Sequence, residues 1–181
     1  MKVTETKLKG CFMIEPKLFK DSRGYFFERF NQHRFNELIG KNIDFVQDNE
    51  SFSSKGVLRG LHFQTGEYAQ AKLVRVIKGM VLDVVVDLRK DSPTFSKHFS
   101  IELSEDNKKQ LFVPRGFAHG FIVLSETAVF SYKCDNFYNS ASEQGIRYDD
   151  PSLGIDWKLP TKEFIVSEKD LVLPTLSTLS L

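Results

Sequence analysis

The chain has 181 residues, 41% hydrophobic and 27% charged, an ordinary globular composition that excludes a disordered chain and a small disulfide-stapled scaffold. Lys and Arg total 25 against 24 acids, so the net charge is +1, and no block of like charge forms an electrostatic footprint for nucleic acid. A chain of this length buries roughly 70% of its unfolded surface, enough for one domain, 1–181, that encloses a small-molecule pocket.

The opening MKVTETKLKG lacks the apolar core of a signal peptide, and no run approaches the ~18 apolar residues of a membrane span, which predicts a cytoplasmic protein with no membrane partner. Period-two alternation then dominates the chain. It predicts strands over 3–8 and 25–30, followed by one amphipathic helix over 32–39. Asn31 is the expected N-cap of that helix, Phe35, Leu38 and Ile39 form its apolar face, and Gly40 is its stop. Further strands are expected over 57–64, 72–77, 81–88, 99–103, 111–113, 117–124 and 128–134. Gly79, Ser92-Pro93, Asn107 and Ser125-Glu126 punctuate them as turns. From about Asn139 the pattern is irregular until Ser167 opens a helical turn. Many short, closely spaced strands and few short helices predict a mainly all-β sandwich or barrel with its chemistry inside the mouth. Cys11 and Cys134 lie far apart without metal-like spacing and are expected to be buried, reduced thiols.

Four clusters carry chemical groups. In GVLRGLHFQ, 56–64, Arg59 and His62 fall three apart on an apolar strand flanked by glycines; in KLVRVIKG, 72–79, alternation puts Lys72 on one face with Val74 and Val76, which points the ammonium inward. VPRGFAHGF, 113–121, places His119 on the strand after a tight turn, and SYKCDNFY, 131–138, offers Tyr132 and Tyr138. Taken singly, each reads more readily as a packing or surface residue than as a functional one.

Gly56 and His62, then Pro114, Gly116 and His119, resemble the two motifs of the cupin superfamily, which implies a cupin-like jelly-roll barrel. A metal-binding cupin would carry a second His at Gln64, and Lys72 sets an ammonium where a carboxylate ligand is usual. Three imidazoles and a carboxylate hold a divalent ion, whereas an ammonium among them repels one, so no metal and no cofactor is expected. With 21–30, 45–53, 72–95, 145–157 and 166–174 added in order, the chain resembles the dTDP-4-dehydrorhamnose 3,5-epimerase family over nearly its whole length. Ser96 and Tyr148 depart from it, standing where Gly and Trp are expected.

The resemblance implies proton removal and return beside a ketone, with His62 as base, Asp170 as its orienter, Lys72 steadying the enolate oxygen and Tyr132 as proton donor. It implies a dTDP-linked sugar as substrate, with Arg23 and Arg59 on the diphosphate. Gln47 and Asn49 would serve the nucleotide, Phe26 and Tyr138 offer stacking faces, and His119 would reach the sugar. Glu28, Glu143 and Lys169 are further binding candidates, and Asp83 a candidate partner for an imidazole on the next strand. It also implies a homodimer in which Arg23, Phe26 and Glu28 serve the partner's site. The competing readings are a single-carbon epimerase of a related 4-keto deoxysugar, a metal-free cupin binding module, and a metal-dependent oxygenase, the last opposed by Gln64 and Lys72.

Overall fold

The structure, a computed structural model, describes residues 1–179. Two sheets face one another. The first has the order β1 (Lys2–Glu5), β2 (Phe12–Glu15), β10 (Gln110–Val113), β7 (Lys72–Lys78), β12 (Thr127–Cys134) and β5 (Gln47–Ser54). The second runs β13 (Glu143–Gly145), β6 (Val57–Gln64), β11 (Phe117–Val123), β8 (Met80–Asp87) and β9 (His98–Ser104), with β14 (Ile165–Val166) parallel to β6. A separate hairpin pairs β3 (Phe19–Asp21) with β4 (Gly24–Phe26).

Alternating side chains from both sheets meet between them: Val74, Val76, Leu111 and Phe130 from the first, Val81, Val85, Leu103, Phe121 and Val123 from the second. The opposite face of the second sheet is covered as well. Leu58, Leu61, Leu82, Val84 and Ile122 pack there under Ile146, Leu153 and Trp157 of the C-terminal segment. Burial on both faces explains why β8 and β11 read as nearly continuous apolar runs. Helix α1 (Gln32–Ile39) lays Phe35 and Ile39 on the outside of the first sheet, against Ile14, Leu73 and Phe112. Burying one such aromatic contributes roughly 1.5–3 kcal/mol.

The mainly-β architecture agrees with the sequence reading, and the edges differ for local reasons. The first strand stops at Glu5, because the Thr6 hydroxyl accepts the Leu8 N–H at 3.1 Å and turns the chain. The strand expected over 25–30 ends at Phe26; beyond it the Gln110 side-chain amide captures the Arg29 carbonyl, and Phe30 packs against Phe35 and Phe45. Strands β2, β3, β5, β13 and β14 are additional to those the alternation predicts. The helix matches its predicted bounds, with Asn31 Oδ1 accepting the Arg34 N–H and Gly40 left-handed at φ +65°. Ser167 caps a second helix, α2 (Glu168–Leu171). Ser96, at an expected Gly position, holds φ +63° in a turn where its N–H reaches the Asp87 carbonyl.

Candidate active site

An irregularity in β6 brings two candidate site residues, Arg59 and His62, onto one face. His119 of β11 pairs with His62, yet Phe121 pairs with Arg59, so two steps on β11 answer three on β6. Regular alternation would send residues three apart to opposite faces; one extra residue restores them to the same face. Arg59 accordingly turns toward the first sheet, its Nε donating to Ser53 Oγ of β5 at 3.2 Å. The bulge is held by Gly60 at φ +122°, where an added Cβ would sit 2.7 Å from Gly120 Cα and 2.8 Å from the His119 carbonyl oxygen.

His62 meets Asp170 of α2 at 2.7 Å, Nε2 to Oδ1, and Asp170 Oδ2 accepts the Gly60 N–H at 3.3 Å. The carboxylate is 2% exposed and the imidazole side chain 23%, so the pair has a buried end and a solvent-reachable end. Burial pulls the Asp170 carboxyl upward, but the hydrogen bond and charge of His62, with the Gly60 N–H and Ser167, outweigh it and hold the carboxyl below its ordinary value. An ionised Asp170 accepts the Nε2–H hydrogen bond and leaves Nδ1 as the basic nitrogen.

The first sheet supplies the facing groups. Alternation along β12 turns Phe130 and Tyr132 inward, and Cys134 pairs with Lys72 of β7. Lys72 Nζ lies 6.0 Å from the Tyr132 ring centroid. Burial lowers the Lys72 ammonium's pKa, opposed by Cys134, Asp83 and Glu143. Burial and the Cys134 and Glu143 charges raise the Tyr132 phenol against the pull of Arg59, so it keeps its proton at neutral pH. Burial likewise pushes the Cys134 thiol up to about 11, and both cysteines are buried and unbridged as expected.

A second imidazole–carboxylate pair lies deeper. His119 Nε2 sits 2.8 Å from Asp83 Oδ2, and both residues are buried. The partner expected for Asp83 is therefore His119. Burial raises the Asp83 carboxyl against the pull of His119 and Lys72, and its Oδ1 has no hydrogen-bond partner among the described residues.

The rim is a chain of polar contacts. Gln47 Nε2 donates to Asn49 Oδ1, Gln47 Oε1 accepts the Tyr138 N–H at 3.0 Å, and Asn49 Nδ2 reaches Cys134 Sγ. The Tyr138 hydroxyl donates to Glu143 Oε2 at 3.2 Å, which also takes Lys169 Nζ at 3.4 Å. Gln47, Asn49, Tyr138, Glu143 and Lys169 are thus gathered into one network.

Among the described residues, Arg23, Phe26 and Glu28 are not joined to it. Arg23 forks onto Asp21, Phe26 is 69% exposed beside Phe19, and Glu28 pairs with Arg34 and Asn31. The sequence reading also missed Ser53, which orients Arg59, and took Gln64 only as a missing ligand, although its amide is fully engaged with the main chain. Among the described residues no group of three or more His, Cys, Asp or Glu is placed to hold a metal ion.

The sequence profile of a family described as dTDP-4-dehydrorhamnose 3,5-epimerase matches residues 5–178. A protein of that name from Shigella flexneri is 52% identical over 171 residues, 94% of this chain and 93% of its own. The crystal structure of a dTDP-4-dehydrorhamnose 3,5-epimerase from Elizabethkingia anophelis superimposes with a TM-score of 0.95 at 59% identity, covering 98% of this chain and 97% of that one. A dTDP-6-deoxy-D-glucose-3,5-epimerase from Legionella pneumophila, crystallised with dTDP-4-keto-L-rhamnose, superimposes at 0.94 with 46% identity, covering 99% and 94%. The cupin-like fold of these epimerases is the fold of this chain.

Proposed function

The chain belongs to the dTDP-4-dehydrorhamnose 3,5-epimerase family, and on that premise we propose that it inverts C3 and C5 of dTDP-4-dehydro-6-deoxy-D-glucose through the residues gathered between its two sheets. It is an enzyme of the isomerase class. The observation that carries the residue-level reading is the opposition of His62 on the second sheet, backed by Asp170 of α2, to Lys72 and Tyr132 on the first.

His62 Nδ1 takes the proton from the carbon beside the C4 ketone, and ionised Asp170 stabilises the imidazolium that forms. As the C–H pair of electrons moves into the enolate, negative charge gathers on the C4 oxygen, where the Lys72 ammonium donates a hydrogen bond. Desolvation strengthens that contact. Tyr132 returns a proton to the carbon from the opposite side. Its phenol is a weak acid in water, yet an enolate is the stronger base and takes the proton. Before the second carbon is treated, His62, being partly exposed, releases its proton to water and the Tyr132 phenolate regains one from water, which restores both groups.

The nucleotide is held at the rim. Arg59 offers its guanidinium to the diphosphate, Gln47 and Asn49 hydrogen-bond the base, Tyr138 supplies a ring for it, and His119 reaches the sugar. Glu143 and Lys169 set the Tyr138 ring from the other side. Arg23, Phe26 and Glu28, on and just beyond an exposed hairpin, complete the site of a second copy in a homodimer, an arrangement supported by their having no place in their own chain's network. The reading calls for one domain, working in the cytoplasm without metal or cofactor. Among the described residues no helix is long and apolar enough to cross a membrane.

Incubation with dTDP-4-keto-6-deoxyglucose in deuterated water tests the assignment. Label at both C3 and C5 of an inverted sugar is the expected result, and label at one carbon alone would make the chain a single-carbon epimerase.

A further inference from the structure

Gln64 ends β6, two residues beyond His62, and is 6% exposed. Its side chain makes three hydrogen bonds, all to main-chain atoms of two loops. The amide NH2 donates to the Tyr68 carbonyl at 2.9 Å and the Phe137 carbonyl at 3.3 Å, and Oε1 accepts the Asn139 N–H at 2.7 Å. The bonds therefore grip the residue before Tyr138 and the residue after it. Tyr138's own N–H goes to Gln47 across the mouth, on the edge strand of the other sheet. Around the grip, the Gln70 side-chain amide donates to the Asn136 carbonyl at 2.8 Å, and Asn136 Nδ2 donates to the Glu67 carbonyl at 2.7 Å.

This loop has little apolar anchoring. Phe137 and Tyr138 are 63% and 54% exposed, so the hydrophobic effect does not fix their place. A ring that is to stack on a base must nevertheless be held before the ligand arrives, since ordering it on binding subtracts from affinity. Hydrogen bonds of the buried Gln64 amide supply that order, and each favours it by roughly two- to tenfold in an equilibrium constant.

We propose that Gln64 is a positioning residue for nucleotide binding, which fixes residues 137–139 and so presents the Tyr138 ring at the mouth of the site. The inference rests on the nucleotide-sugar reading above and adds to it a residue that touches no substrate. It also explains why an amide suits this position: a Glu here could not donate to two carbonyls, and an imidazole could not serve two carbonyls and an N–H together.

The test is dTDP binding by calorimetry to the wild type, Gln64→Met, Tyr138→Ala and the double variant. Met keeps the side-chain volume and removes all three bonds. We expect Gln64→Met to weaken dTDP about tenfold, and to weaken it less than about twofold further once Tyr138 is Ala. In turnover the loss should appear in KM far more than in kcat. Should Gln64→Met fail to fold, Gln64→Glu keeps the shape, loses both donors, and takes its place in the cycle. Unchanged dTDP affinity, or losses that multiply independently in the double variant, would overturn the inference. A wild type that does not bind dTDP would overturn the nucleotide-sugar reading itself.

Discussion

Arg59 and His62 stand three residues apart in one strand and still face the same way, because the Gly60–Leu61 stretch opposes β11 with one residue too many. A guanidinium suited to a diphosphate and an imidazole suited to a proton are thereby set on a single face. The device depends on Gly60 lying against Gly120, backbone to backbone.

Gly60→Ala should therefore destabilise the fold by backbone strain and by overpacking, roughly 1–3 kcal/mol from each. Gly24→Ala is the control: that residue also has positive φ, at +133°, but its Cβ would meet nothing within 4 Å. Urea unfolding of both variants checks the argument. Equal losses in the two would mean that contact with Gly120 and His119 contributes nothing.

Asp170→Asn should leave dTDP affinity near the wild-type value and reduce kcat about 10²–10⁴-fold, because an amide no longer selects the Nδ1-basic imidazole or stabilises its cation. The variant also has a pH signature. The carboxyl lies below its ordinary value in the folded state, so its stabilising contribution is present above the unfolded value of ~3.9 and is lost as pH falls from there through the lower folded value. Acid unfolding curves should converge over that interval. If the wild type loses no more stability there than Asp170→Asn, the dyad is not what holds the carboxyl ionised.

What was legible in the sequence divides along physical lines. The helix could be read because its signals are local: a cap at Asn31, an apolar face and a left-handed Gly40. Most strands could be read because one or both of their faces are apolar. Strand β5, QDNESFSS, escaped because its inward residues Gln47, Asn49, Ser51 and Ser53 face a polar mouth and leave no hydrophobic alternation. The bulge in β6 is a property of pairing with β11, so periodicity along β6 alone places Arg59 and His62 on opposite faces. Asp170 lies 108 residues from His62 and only the resemblance to a family pointed to it. Gln64 was visible as a departure from a metal site, while its partners, in loops near 68 and 137, were not.

The hairpin residues make a prediction about assembly. Among the described residues the exposed Arg23 bonds only within its own turn, to Asp21, so Arg23→Ala should change stability by less than about 0.5 kcal/mol while weakening dTDP binding. In a dimer with shared sites, mixing it with His62→Asn rebuilds one complete site per heterodimer. Random mixing should then return about one quarter of wild-type activity. Heterodimers shown to form but giving no recovery would place Arg23 in its own chain's site or in none.

Tyr132 separates two events that a single assay merges. Its ring packs beside Phe130 at 6.1 Å, and its hydroxyl has no part in that contact, so Tyr132→Phe keeps the packing and should keep the fold. The variant removes only the proposed proton donor, a loss that typically costs about 10²–10⁴-fold in rate. Proton abstraction by His62, on the facing sheet, does not need the phenol. In deuterated water the variant should go on exchanging the ring hydrogens on the His62 side, returning unepimerised sugar that carries label, while inverted product falls sharply. The raised pKa of the phenol adds a second readout: the hydroxyl stays protonated beyond the range of an ordinary tyrosine, so wild-type inversion should not decline as pH rises toward ~10 on account of this group. Inversion by Tyr132→Phe at the wild-type rate would make Tyr132 a packing residue and give the returning proton to another group or to water.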